Sequence, residues 1–254
     1  VLTRQGPHGF RRAVQRLLIQ NRFQSFSIDG PGDGGGDLYC ERDGERWIVQ
    51  CKWKSSSPVT RSALAEVQNA RTLYDAHQCV VATNSTFSRD YKSEASRLQD
   101  TITPVISWDG ADIEKFAQES SALLPAKKLR PYQEQALLAI KGDLEEHQRS
   151  LLFLATGLGK TVVAGAVIRD FIQKNPTARI LVLAHMVDLI DQLERALWGD
   201  IPLKLVSQQV IGGSDFVDAP GLTVASNLSI EHYLDDGYFP DLVVIDECHH
   251  VGGD

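Results

Sequence analysis

Apolar and polar positions alternate in two distinct regimes along the chain. In the first, Phe10, Val14, Leu17 and Leu18 recur at helical spacing, which predicts an amphipathic helix over 7–21. A short strand over 22–28 leads into the glycine-rich run Gly30-Pro-Gly-Asp-Gly-Gly-Gly36. The runs 37–42 and 45–54 flank Asp43-Gly44, the dipeptide that best accommodates a two-residue hairpin turn. A helix over 60–77, a strand over 79–83, a helix over 88–99, a strand over 103–107 and a helix over 111–120 complete the series. The order α-β-β-β-α-β-α-β-α describes an α/β domain built on a mixed sheet.

Over 122–129 the pattern lapses, and Pro125, Lys127 and Lys128 mark a linker. The expected domains are therefore 1–121 and 130–254. The second begins with a helix over 131–141 and continues with apolar strands at 151–155, 180–184, 223–226 and 242–246. Continuous apolar strands separated by helices predict a parallel sheet covered on both faces. No internal repeat or low-complexity tract interrupts either regime.

The Asp43-Gly44 turn fixes a register. It pairs Arg42 with Glu45 and so sets Asp37 opposite Gln50. Side chains alternate along a strand, so Ile48, Gln50, Lys52 and Lys54 share one face, while Trp47, Val49, Cys51 and Trp53 share the other. Opposed Cβ atoms stand about 4.5–5.5 Å apart, with Lys52 as the diagonal neighbour. An acid, an amide oxygen and an ammonium thus converge beside the glycine-rich loop. A metal-dependent phosphodiesterase needs these groups: Asp37 and Gln50, with a backbone carbonyl, to ligate Mg²⁺, and Lys52 to steady the attacking hydroxide and the pentacovalent charge. The same residues also fit a surface hairpin with a wet polar face. Asp33 is a second candidate acid, and Trp47 and Trp53 read as core rather than as base-stacking platforms.

A second chemistry lies in Leu151-Leu-Phe-Leu-Ala-Thr-Gly-Leu-Gly-Lys-Thr161, which runs from an apolar stretch into a helix starting near Gly159. Backbone N–H groups of Thr156, Gly157, Leu158 and Gly159 can close on phosphate oxygens, Lys160 can neutralise the β/γ-phosphates, and Thr161 can hold Mg²⁺. Leu154 and Ala155 occupy the places where the strict phosphate-loop pattern has its first glycine. The partner element is Asp241-Leu-Val-Val-Ile-Asp-Glu-Cys-His-His250. Asp246 is the expected Mg²⁺ ligand and Glu247 the residue that orients or deprotonates the attacking water. His249 reads as a link between nucleotide and nucleic-acid sites rather than as a metal ligand.

Composition narrows the class. No apolar run reaches the ~20 residues that span a bilayer, and no signal-peptide pattern opens the chain, which places it in the cytoplasm. The first residue is Val rather than Met, which reads as a trimmed or excised chain. Net charge is −7, all of it from the part after residue 125, where 11 Lys/Arg face 18 Asp/Glu; residues 1–125 balance at 15 and 15. Nucleic-acid contact must then come from local patches. The four cysteines, Cys40, Cys51, Cys79 and Cys248, contain no CxxC pair and read as reduced, mostly buried thiols.

Two resemblances follow from these residues. Gly32-Asp-Gly-Gly-Gly-Asp-Leu38 with Ile48-Val-Gln-Cys-Lys52, and Ala82-Thr-Asn-Ser-Thr-Phe-Ser88 further on, resemble the Mrr-like branch of the PD-(D/E)xK restriction nucleases, where Gln replaces the usual Glu. The chain departs from it at the first helix, where Arg11 follows Phe10 in place of an acid. Residues 129–254 resemble the first RecA-like lobe of superfamily 2 DEAD/DEAH-type helicases, near the motors of type I and type III restriction enzymes. Leu129-Arg-Pro-Tyr-Gln133 resembles the adenine-contacting element, with Arg130 and Gln133 as contacts. The segments 180–192 and 224–229 resemble backbone-gripping motifs, the first with Met186 where the family has Arg.

The resemblances imply an ATP- and Mg²⁺-using DNA restriction or defence enzyme. A mixed-sheet, restriction-endonuclease-like domain precedes a RecA-like parallel-sheet domain, and a second helicase lobe is expected in the full-length chain. Duplex DNA, modified DNA included, is the expected partner. Two alternatives stand beside it: an inactive Mrr-like domain that recognises DNA for the motor, and an RNA helicase with an unrelated leading module.

Overall fold

The computed structural model describes residues 6–28, 30, 32–99, 101, 104–119, 125–212 and 216–248. The chain divides into two compact units, Val1–Ser121 and Ala122–Asp254.

In the first unit the elements are α1 (Gly6–Gln20), β1 (Gln24–Ser27), β2 (Leu38–Arg42), β3 (Glu45–Lys52), α2 (Ser62–Leu73), β4 (Gln78–Thr83), α3 (Arg89–Gln99), β5 (Val105–Trp108) and α4 (Gly110–Glu119). Their order is the one the patterning predicts. The sheet runs β1-β2-β3-β4-β5, antiparallel as far as β3 and parallel beyond it. At the hairpin both central residues take positive φ, 53° at Asp43 and 82° at Gly44, the backbone that matches strand twist in a two-residue turn. Arg42 pairs with Glu45 and Leu38 with Val49, the register expected from the turn. Asp37 N–H donates to Val49 O at 3.0 Å and carries the ladder one residue beyond β2.

Helices cover both faces of this sheet. On one, Ala63, Leu64, Val67 and Ala70 of α2 and Tyr91 of α3 pack on Ile48, Cys79, Val81 and Val105. On the other, α1 lies on β1 and β3, and α4 on β4 and β5; Phe10, Val14, Leu17 and Leu18 are all buried. Each such side chain contributes about 1.5–3 kcal/mol by leaving water. Helix α2 stops at Leu73, short of the expected 77, because Asp75 enters the left-handed region (φ 46°) and Ala76 N–H turns back to Arg71 O.

The second unit comprises α5 (Pro131–His147), α6 (Lys160–Lys174), β6 (Arg179–Ala184), α7 (Val187–Leu197), β7 (Val206–Val210), β8 (Gly221–Ser226), α8 (Asn227–Asp235) and β9 (Leu242–Ile245). Its sheet is parallel throughout, in the order β7-β8-β6-β9. Strand β6 shows why its run is apolar without alternation: Ile180 and Val182 join one buried cluster, Leu181 and Leu183 the other.

Two expectations are corrected here. Residues 151–155 are not a strand, and Leu151 and Phe153 are 77% and 94% exposed. A strand needs a paired neighbour as well as apolarity, and this segment has no ladder partner among the described residues. Conversely, β7 forms where no strand is expected, because Val206-Ser-Gln-Gln-Val210 has a polar middle. Gln208 is nevertheless buried, since its amide bonds Val217 N and O and Thr223 Oγ1. Helix α5 also outruns its expected end at 141, to be stopped at Gln148 by a left-handed residue (φ 57°). Pro31, the start of the strand expected at 103, linker residues 122–124, and His249 and His250 lie outside the described residues.

Candidate functional sites

Three elements of the first unit meet at one place. Asp37 ends the glycine-rich loop, Gln50 and Lys52 lie on β3, and Glu66 comes from α2. The loop can approach the helix only because it is glycine. A Cβ at Gly35 (φ 92°) would stand 2.9 Å from Glu66 Cβ, and one at Gly36 3.1 Å from Ala70 Cβ. Asp33 is used inside the loop, accepting from Gly30 N and Gly35 N, which makes it a turn former rather than a second acid of the site.

Asp37 Oδ2 accepts from Cys51 N–H at 2.7 Å, which pins the carboxylate against the strand that carries Gln50 and Lys52. Gln50 is 1% exposed. Its Nε2 donates to Glu66 Oε2 at 2.7 Å, and Lys52 Nζ reaches the same oxygen at 2.5 Å. Gln50 Oε1 is buried and has no hydrogen-bond partner among the described residues. A buried carbonyl oxygen left without a donor costs about 1–3 kcal/mol, and a cation is one group that would satisfy it. Among the described residues no three His, Cys, Asp or Glu side chains converge as a metal cage.

The backbone of β3 is locked from its parallel neighbour. Thr83 Oγ1 donates to Lys52 O at 2.6 Å, while the Asn84 side chain accepts from Lys54 N and donates to Lys54 O. Thr83, Asn84 and Glu66 were not among the expected site residues. Glu66 left a readable signal, since it takes the i+3 place in the buried stripe Ala63, Val67, Ala70, where an apolar residue belongs. Cys51, facing the other side, has its thiol pushed well up, first by burial and then by Asp37, with Arg11 and Lys52 opposing. Trp47 stands edge-on to Phe23, ring centroids 5.5 Å apart, but it and Trp53 are half-buried rather than core as expected.

In the second unit, the loop Thr156–Gly159 leads into α6. Gly157 and Gly159 take φ of 82° and 85°, and a Cβ at Gly159 would lie 2.6 Å from Gln133 Nε2. Gln133 is buried with both ends of its amide engaged: Oε1 accepts from Arg130 N, and Nε2 donates to Leu158 O at 2.9 Å. Tyr132 Oη donates to the same carbonyl at 3.0 Å. The residue expected to touch adenine therefore also holds the loop. The Arg130 side chain is near Tyr132 Oη, at 3.5 Å.

Lys160 Nζ lies 2.5 Å from Glu247 Oε1. This bond, with Asp246 nearby, raises the pKa of Lys160. Asp246 N–H donates to Leu183 O at the end of β6, and Glu247 follows with φ 52°, a left-handed conformation costing about 1–3 kcal/mol for a residue with a side chain. Thr161 follows Lys160 in the first turn of α6.

Two family models match the chain. Residues 2–117 match a restriction endonuclease family, and residues 126–254 match the family described as type III restriction enzyme, res subunit. A mitochondrial ATP-dependent helicase of Schizosaccharomyces pombe, irc3, is 33% identical over 135 residues. That match takes in 50% of this chain but only 22% of the helicase, so the chain spans about a fifth of its length. Among solved structures, the protein of unknown function AF1548 aligns with 67% of this chain and 100% of its own, at 16% identity and a TM-score of 0.37. The type ISP restriction-modification enzyme LlaBIII, bound to DNA, aligns with 84% of this chain and 16% of its own, at 17% identity and a TM-score of 0.42. The chain belongs to the type III restriction enzyme res-subunit family, with a helicase-type domain preceded by a restriction-endonuclease domain.

Proposed function

We propose that the first unit is a metal-dependent endodeoxyribonuclease and the second the nucleotide-binding part of an ATP-driven DNA motor, within a cytoplasmic restriction or defence system. The domain limits proposed are 1–121 and 130–254, joined through 122–129. The observation that carries the nuclease reading is the buried, unpartnered Oε1 of Gln50 on the residue opposite Asp37. Asp37 and Gln50 would hold Mg²⁺, which, when bound, acidifies water and offsets phosphate charge. Lys52, fixed through its backbone by Thr83, directs its ammonium to the charge that develops at phosphorus.

In the second unit, Thr156, Gly157, Leu158 and Gly159 would cradle phosphates, with Lys160 neutralising them. Thr161 and Asp246 would hold Mg²⁺, and Glu247 would orient water once a phosphate takes its place at Lys160. Arg130 and Gln133 would border the base. DNA as substrate is supported by the restriction-endonuclease family match.

The test is nicking of supercoiled plasmid with Mg²⁺ by the full chain. Wild type should nick, and Asp37→Ala and Lys52→Ala should not. Nicking retained in both variants overturns the reading. DNA binding with no nicking in wild type does so too, and leaves a recognition module.

A further inference from the structure

The bond from Gln50 to Glu66 decides which way an amide faces. A glutamine side chain has two ends of nearly equal shape and opposite polarity, and only its partners select between them. Glu66 Oε2 can only accept, so it takes Nε2, and Oε1 is turned to the remaining side, where it is buried and meets no donor. The same carboxylate oxygen takes the Lys52 ammonium. One acid on a helix thus sets the attitude of both β3 residues. Gly35 lets the loop close on it, since a Cβ there would stand 2.9 Å from Glu66 Cβ.

We propose that Glu66 is a positioning residue of the nuclease centre. It holds the Gln50 amide with its oxygen presented to a divalent cation, and it holds the Lys52 ammonium on the same carboxylate oxygen that takes Gln50 Nε2. The proposal rests on the metal-centre reading above. A glutamate at position 50 would need no such partner, because its two oxygens are equivalent. Glutamine there works only with an acceptor behind it, and the helix supplies that acceptor from the i+3 place of its buried stripe.

The experiment is a Mn²⁺ titration of the full chain, read by the loss of the free-ion paramagnetic resonance signal, without DNA or turnover. Folding of every variant is checked by its thermal melt. Glu66→Ala frees the amide to rotate and should weaken Mn²⁺ binding roughly 10–100-fold, as loss of partners behind a metal ligand does. Glu66→Gln offers Gln50 a donor as well as an acceptor, so the amide is no longer held one way, and binding should fall towards that of Glu66→Ala. Adding Gln50→Glu to Glu66→Ala should restore binding.

Glu66→Ala binding as tightly as wild type overturns the proposal. Failure of Gln50→Glu to restore binding in Glu66→Ala overturns it as well, because a carboxylate with two equivalent oxygens needs no partner to set its facing. Asp37→Ala separates this from failure of the underlying reading. Mn²⁺ binding unaffected by Asp37→Ala removes the metal centre itself. Binding lost in Asp37→Ala but kept in Glu66→Ala removes only the role of Glu66.

Discussion

Lys160 and Glu247, 87 residues apart in sequence, are joined by a 2.5 Å ion pair between Nζ and Oε1. The lysine that is proposed to meet phosphate is thus already matched by the carboxylate proposed to orient water. On that proposal a phosphate arriving at the loop would compete with that carboxylate for Lys160 and free Glu247 as it binds.

Removing this competitor has a definite sign. Glu247→Gln should tighten binding of a fluorescent ADP analogue, by about three- to tenfold, since a neutral amide competes less well for an ammonium. Lys160→Ala should abolish binding. Weaker binding in Glu247→Gln would contradict the competition.

Gln133 tests how the loop is held. Gln133→Ala removes the donor to Leu158 O and the acceptor for Arg130 N, bonds worth about 0.5–1.5 kcal/mol each. Nucleotide binding should fall about tenfold, while Tyr132→Phe, which removes only the second donor to the same carbonyl, should cost less. Equal binding in Gln133→Ala and wild type by titration calorimetry would make the amide dispensable.

At the proposed metal centre, Gln50→Glu would add a charge to the ligand set. Mg²⁺ affinity, followed by competition with Mn²⁺, should rise roughly tenfold, because ligand charge tunes divalent affinity. An unchanged value would place the cation away from Gln50.

Buried thiols predict a pH response. Burial pushes the Cys40 thiol up to about 11 from 9.0, and Cys51 and Cys79 shift the same way for the same first reason. A raised acid pKa means that above pH 9 the unfolded chain releases protons the folded chain retains. Stability is therefore fully present below pH 9 and is lost as pH rises towards 11. For Cys40 the loss is roughly 2–3 kcal/mol. Melting curves between pH 8 and 11 should show the decline for the first unit, and Cys40→Ala should flatten it. At pH 8, iodoacetamide should label exposed Cys248 first.

Sequence alone fixed most of the architecture, because its signals are local. Helical spacing placed Phe10, Val14, Leu17 and Leu18 on one buried face. The demand for positive φ at Asp43-Gly44 set the turn, and strand geometry then carried the register to Leu38↔Val49 by counting. The glycines and Lys160 marked the loop Thr156–Gly159 for the same reason: a short segment in which Gly157 and Gly159 take positive φ needs particular residues.

What only tertiary structure decided involves partners distant in the chain. Apolarity at Leu151–Phe153 could not make a strand without a neighbour, and the polarity of Gln208 did not keep β7 from the core once Val217 and Thr223 met its amide. The direction of the Gln50 amide belongs to this class. A strand pattern tells which face a side chain takes, but only the acceptor on α2 tells which end of the amide points where. Hydrogen bonds between elements depend on distances that no local periodicity encodes, and so Glu66, the acid placed in an apolar stripe, acquired its meaning only in the folded chain.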